Sequence, residues 1–170
     1  SPETARRGMF CAEIGMFLAI VGTLLHKDIV SYEWIIVGIV IGSVIGVWIS
    51  LAIPMTAVPQ RTALSHAFGG LAAALVGVSE YYRHGAELGT IKTAAIGFEV
   101  MFGALTFTGS LMAAAKLQEL LPGRPITYKG QNAANLTLLA LVVGLVLALV
   151  VSPATTTAFY LMLGLAFLFG

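Results

Sequence analysis

Apolar residues run through this chain in long blocks, with polar residues gathered into the short breaks between them. Six blocks carry little charge: about 8–25, 34–52, 60–81, 93–115, 133–151 and 156–170. A helix needs about 20 such residues to cross a hydrocarbon core roughly 30 Å thick. The pattern therefore predicts an all-α membrane protein, a bundle of about six transmembrane helices with short loops. Prolines punctuate the breaks because they cannot continue a helical hydrogen-bond ladder. Pro54 and Pro59 bracket the turn before the third block, Pro122 and Pro125 mark the connection after the fourth, and Pro153 parts the fifth from the sixth. The second block carries Gly38, Gly42 and Gly46 at four-residue spacing. Such spacing lets helix backbones approach closely, within one chain or between subunits.

Composition agrees with that pattern. Of 170 residues, 58% are hydrophobic and only 10% charged, and the mean hydropathy is +0.95. The blocks consume most of the sequence, so residues 1–170 read as one transmembrane domain with no room for a separate soluble one. A net charge of +1 gives no sign of a nucleic-acid partner. The single cysteine, Cys11, forms no intrachain disulfide and no thiolate cluster; packing is its expected role. The polar opening run from Ser1 to Arg7 lacks Met, and the chain stops at Gly170 directly after an apolar block. This suggests a piece of a longer membrane protein. The first block has no small-residue cleavage site and reads as a retained helix rather than a signal peptide.

Charge asymmetry sets an orientation. Six spans place the N-terminus and the loops 53–61 and 116–132 on one side, with Arg6, Arg7, Arg61, Lys116, Arg124 and Lys129. The other side holds Lys27, Arg83 and Lys92. The positive-inside rule then puts both ends in the cytoplasm. Trp34, Tyr81 and Tyr82 fall near the outer interface, where amphipathic rings are favoured.

One ionisable residue stands out. His66 sits inside the third block, five residues past Arg61 and so about 7–8 Å beyond that charged edge. An ionisable group inside a membrane span is costly and usually faces a bundle interior or a water-filled path. Histidine, with an unperturbed pKa of about 6.5, also changes charge near physiological pH. Its helical neighbours Gly69, Gly70, Ala73 and Gly77 form a small-residue stripe suited to close packing, which predicts that His66 points into the bundle. Ser110, counted inward from Lys116, lies about 9 Å deep on the antiparallel fourth span, at nearly the same level. Glu99, Gly103, Thr106 and Ser110 recur at helical spacing. An acid, two hydroxyls and an imidazole can line a water wire. Thr106 and Ser110 equally fit hydroxyls that bond back to the preceding turn, and Glu99 fits a protonated or snorkelling side chain. Asn135 and Glu13 fall near the depth of His66, as further path members or as interfacial residues. No Gly-x-Gly-x-x-Gly, Walker loop, His-Glu-x-x-His or Cys-x-x-Cys occurs, so this chain alone is expected to bind no nucleotide or metal and to catalyse no covalent chemistry.

The run Pro54-Met55-Thr56-Ala57-Val58-Pro59-Gln60, followed by Ala63-Leu64-Ser65-His66-Ala67-Phe68-Gly69-Gly70-Leu71-Ala72-Ala73, resembles the signature of the proton-translocating NAD(P) transhydrogenase β subunit. So does Gly103-Ala104-Leu105-Thr106-Phe107-Thr108-Gly109-Ser110 with the trailing Lys116. The resemblance covers essentially the whole chain. It implies a membrane domain that couples proton passage to hydride transfer between NAD(H) and NADP(H), both bound in soluble domains outside this chain. It implies that His66 is the protonatable switch, that Ser110 takes part in coupling, and that Glu99 is the candidate intramembrane acid. It further implies a loop at 53–61 facing the NADP(H)-binding domain, an α subunit with further transmembrane helices, a homodimeric complex and an inner-membrane location. A fragment of a secondary transporter or channel for a small solute is the alternative, as is a purely structural subunit; a transporter would show broken helices meeting at the midplane.

Overall fold

The computed structural model describes residues 2–25, 32–52, 54–85, 87–124 and 127–170; Lys27 and Pro125 lie outside them. The described residues form α1 (Pro2–Leu24), α2 (Glu33–Ala52), one 3₁₀ turn (Met55–Ala57), α3 (Val58–His84), α4 (Thr90–Leu117), α5 (Gln131–Val151) and α6 (Thr156–Phe169). The first five helices are long and apolar enough to cross a membrane. The sixth has 14 residues, about 21 Å by helix rise, shorter than a hydrocarbon core.

Helices α3 and α4 extend past their apolar blocks for local reasons. Pro59 sits in the first turn of α3, where its missing N–H was without an intrahelical partner in any case. Arg83 occupies the last turn, where positive charge complements the helix dipole. At the other hairpin end, Glu119 adopts φ 59°, a left-handed conformation that costs a non-glycine residue about 1–2 kcal/mol. It ends α4 in a Schellman motif: the Glu119 N–H donates to Lys116 O at 3.1 Å and the Leu120 N–H to Ala115 O at 3.0 Å.

The chain divides into two compact units, Ser1–Leu51 and Ala52–Gly170. In the first, α1 ends where the Tyr32 hydroxyl donates to Leu24 O at 3.0 Å. A Cβ built on Gly38, Gly42 or Gly46 would meet nothing within 4 Å, so the close approach offered by their spacing is not used among the described residues. Cys11 is exposed on α1.

In the second unit α3 and α4 pair antiparallel along a seam of small residues. A Cβ at Gly70 would come 2.9 Å from Gly103 O, and one at Gly103 would come 2.7 Å from both Gly70 O and Ala74 N. Backbone touches backbone here, and only glycine fits at either position. Further out, a Cβ at Gly77 would lie 2.5 Å from Val100 Cγ2. Ala67 and Ala74 are buried in the same seam. Of the predicted stripe, Gly70 and Gly77 are used in this way, whereas Gly69 meets nothing within 4 Å.

The opposite side of α4 faces α5 and α6. Gly97 admits Val146 of α5, whose Cγ1 would stand 2.9 Å from an added Cβ. Met101, Ala104, Val142, Leu149, Phe159, Met162 and Ala166 belong to the same buried cluster as Val146. Tyr81, expected at the interface, is instead buried: its ring stacks on Phe159 at 3.9 Å and 3°, and its hydroxyl donates to Pro153 O at 2.8 Å. Trp34 and Tyr82 are exposed. Large apolar side chains such as Phe68, Leu75, Ile91, Phe102, Leu141 and Leu161 also lie outside, as lipid solvation permits and water does not.

Candidate proton site on the open flank of the α3–α4 seam

Successive helical residues are rotated by about 100°, so each flank of the seam can be followed along both helices. Ala67, Ala74, Gly77 and Tyr81 mark the face of α3 that meets α4. To one side of that face lie Val78, packed on the buried cluster, and Tyr82, edge-on to Tyr160 of α6. His66 and Ala73 lie on the other side. On α4, Val100 and Gly103 meet α3, while Gly97, Met101 and Ala104 turn toward α5 and α6. Glu99, Thr106 and Ser110 lie on the remaining side. α5 and α6 pack on one flank of α4, and α6 reaches the same flank of α3 at Tyr81 and Tyr82. Within this unit the other flanks of α3 and α4 border one groove beside Gly70 and Gly103. The expectation that His66 points into the bundle is not met: among the described residues its side chain is exposed, on that flank of the seam.

The groove also fixes depth. A Cβ at Gly70 would lie 3.0 Å from Thr106 Cβ. His66 stands one turn before Gly70 and Ser110 one turn after Thr106, and the helices run in opposite directions. His66 and Ser110 therefore share a level, as the count from the charged edges predicts. Glu99 sits seven residues before Thr106, about 10 Å further along the groove. His66 and Glu99 are exposed, and Thr106 and Ser110 are half-buried.

The imidazole has one defined bond. His66 Nδ1 stands 2.8 Å from Thr62 O. A carbonyl oxygen only accepts, so Nδ1 carries a hydrogen and donates it. In the neutral ring Nε2 is then the nitrogen without a hydrogen, able to accept one from a neighbouring donor. Thr62 and Thr108 hydroxyls bond back to Val58 O at 3.0 Å and Ala104 O at 3.3 Å. Among the described residues Thr106 and Ser110 make no such bond, which leaves both hydroxyls available to groups in the groove.

Asn135 does not join this arrangement. It is exposed on α5, which packs on the other flank of α4, and Glu13 is exposed on α1 in the first unit. One residue escapes sequence reasoning: Gln60, whose Nε2 donates to Leu117 O at 2.7 Å across the seam's end. The only hint is a polar amide in the first turn of α3, level with the end of α4.

Residues 1–170 match the family described as NAD(P) transhydrogenase beta subunit. Two relatives, named NAD(P) transhydrogenase subunit beta and coming from Rhodospirillum rubrum and a designated strain of it, are each 38% identical over 141 residues, covering 78% of this chain. The chain spans about 30% of the length of these relatives. With its apolar helices it is a multi-pass membrane protein, and it belongs to the NAD(P) transhydrogenase beta subunit family.

Proposed function

We propose that residues 1–170 form part of the membrane domain of a proton-translocating transhydrogenase, in which proton passage is coupled to hydride transfer between NAD(H) and NADP(H). The observation that carries this reading is the placement of His66: Nδ1 is held by Thr62 O, and the ring shares a groove and a level with Ser110. Nε2 takes a proton from one side of the membrane and releases it toward the other. Thr106 and Ser110 supply hydroxyls that both accept and donate, and Glu99 offers a carboxyl further along the groove. This path needs neither Asn135 nor Glu13.

Both nucleotides belong to soluble domains outside this chain. The described residues are helical apart from turns and loops, and the sequence has no glycine fingerprint with which to cradle a pyrophosphate. What these residues contribute is the proton side of the coupling. The turn around Met55–Ala57 faces the NADP(H) domain on the cytoplasmic side, where both ends of the chain also lie. The complex sits in the inner membrane, adds an α subunit with further helices, and is a homodimer. A transporter fragment is disfavoured, because α1 to α5 run without breaks and the family is that of a transhydrogenase.

The test is His66→Ala in the assembled enzyme reconstituted into vesicles, with proton uptake and NADPH-dependent turnover followed together. Loss of nucleotide-driven pumping is expected. Unchanged coupling removes His66 from the mechanism.

A further inference from the structure

A bond at the end of the seam where α3 begins and α4 ends has no part in the path just described. The Gln60 side-chain amide donates through Nε2 to Leu117 O at 2.7 Å. The carbonyls at the end of an α-helix lack intrahelical partners, and α4 settles three of them within its own chain: Ala114 O accepts from Gln118 N–H, Ala115 O from Leu120 N–H and Lys116 O from Glu119 N–H. The next carbonyl, Leu117 O, is taken by α3. The Schellman turn thus presents one carbonyl to the neighbouring helix, and Gln60 reaches it from the first turn of α3, two residues after the start of the helix at Val58.

This tie lies close to the candidate proton groups on both helices. His66 follows Gln60 by six residues and Ser110 precedes Leu117 by seven, about 9 and 10 Å of helix rise. It also joins the two segments that flank the cytoplasmic connections: the 3₁₀ turn at Met55–Ala57, which leads straight into α3, and the end of α4. Above it, Gly70 and Gly103 hold the helices backbone to backbone, so His66 and Ser110 both stand in the stretch between these two ties.

We infer that Gln60 is a positioning residue for proton coupling, fixing the start of α3 to the end of α4 so that His66 and Ser110 keep one level when the 55–57 turn is displaced. The inference rests on the reading of this chain as the proton side of a transhydrogenase. It assigns Gln60 no contact with a proton or a nucleotide. A lysine at this position keeps an N–H donor of similar reach, whereas leucine and methionine keep bulk and lose the donor.

The experiment uses the complete enzyme with its partner subunits in vesicles and measures protons pumped per hydride transferred. Q60L and Q60M lower that ratio by about fivefold, the scale of one lost hydrogen bond, while hydride transfer continues. Q60K restores the ratio to within about twofold of the parent. A parent-like ratio in Q60L and Q60M overturns the inference, as does a Q60K that fails with them. Loss of assembled enzyme in Q60L and Q60M alike also overturns it, since the bond would then serve stability alone. If the parent enzyme transfers hydride without pumping, the reading of this chain as the proton side of the enzyme falls instead, and the variants are not what decided it.

Discussion

Gly77→Ala tests the packing that places His66. Gly77 and Val100 are both buried, and an added Cβ would stand 2.5 Å from Val100 Cγ2, with Ile96 O and Val100 N at 3.6 Å. Ordinary contact between carbons begins at about 3.5 Å, so α3 must withdraw by about 1 Å or Val100 must leave its rotamer. Overpacking of this kind costs about 1–3 kcal/mol, and alanine returns up to roughly 1 kcal/mol in helix propensity. The net loss is expected at about 1–2 kcal/mol. Val100→Ala alone removes two methyl groups from a fully buried site and costs about 1–2 kcal/mol in lost packing. Together the changes compensate, because the new methyl group occupies space that Val100 vacates. The double variant should be about 1–2 kcal/mol more stable than the sum of the singles. The assay is an unfolding titration in mixed detergent micelles, read by far-ultraviolet circular dichroism, on the parent and all three variants. Additivity within about 0.5 kcal/mol would mean that these helices do not meet at Gly77, and the shared level of His66 and Ser110 would lose its support.

Tyr81→Phe keeps the stack on Phe159 and deletes the bond to Pro153 O; a loss of about 1 kcal/mol is expected, and Tyr81→Ala should lose clearly more in the same titration. Glu80 and His84 pair at 3.1 Å with about half of each side chain exposed, so Glu80→Gln should change stability by less than about 0.5 kcal/mol, a larger loss pointing to a covering partner. Gly103→Ala should be destabilising and Gly164→Ala neutral to stabilising by up to about 1 kcal/mol: the first would push a Cβ onto the Gly70 and Ala74 backbone and the second would meet open space inside α6, as comparison of their unfolding midpoints will show.

Much of this architecture is legible in the apolar blocks, because a helix that solvates itself in lipid must be apolar over a fixed length. The helices begin and end within a few residues of those blocks, except at the N-terminus of α1, which extends through the polar run from Thr4 to Arg7. Which side of each helix meets protein is harder to read, since lipid and neighbouring helices are equally apolar. Thus Gly70 and Gly69 look alike in sequence, yet one touches the Gly103 backbone and the other meets nothing among the described residues. The same holds for the evenly spaced glycines of α2. Tyr81 reads as an interfacial ring because it ends an apolar block; its stack on Phe159 depends on a turn 72 residues away. The level shared by His66 and Ser110 follows from counting inward from Arg61 and Lys116. That both stand on the flank opposite α5 and α6 required knowing where those helices pack. Gln60 was hidden for a related reason: its partner is a backbone carbonyl, and a sequence carries no mark of which carbonyl a helix leaves open.

The proposed coupling requires that His66 change protonation with the nucleotide state of the NADP(H) domain. Isotope-edited infrared difference spectroscopy of the complete enzyme, with imidazole-labelled histidine and His66→Ala as the reference that assigns the signal, measures the protonated fraction directly. At one fixed pH near neutrality, the account predicts a different protonated fraction at His66 with NADP⁺ bound than with NADPH bound; a tenfold change in proton affinity corresponds to about 1.4 kcal/mol of coupling. An identical fraction in the two states, in an enzyme that still pumps, would contradict it.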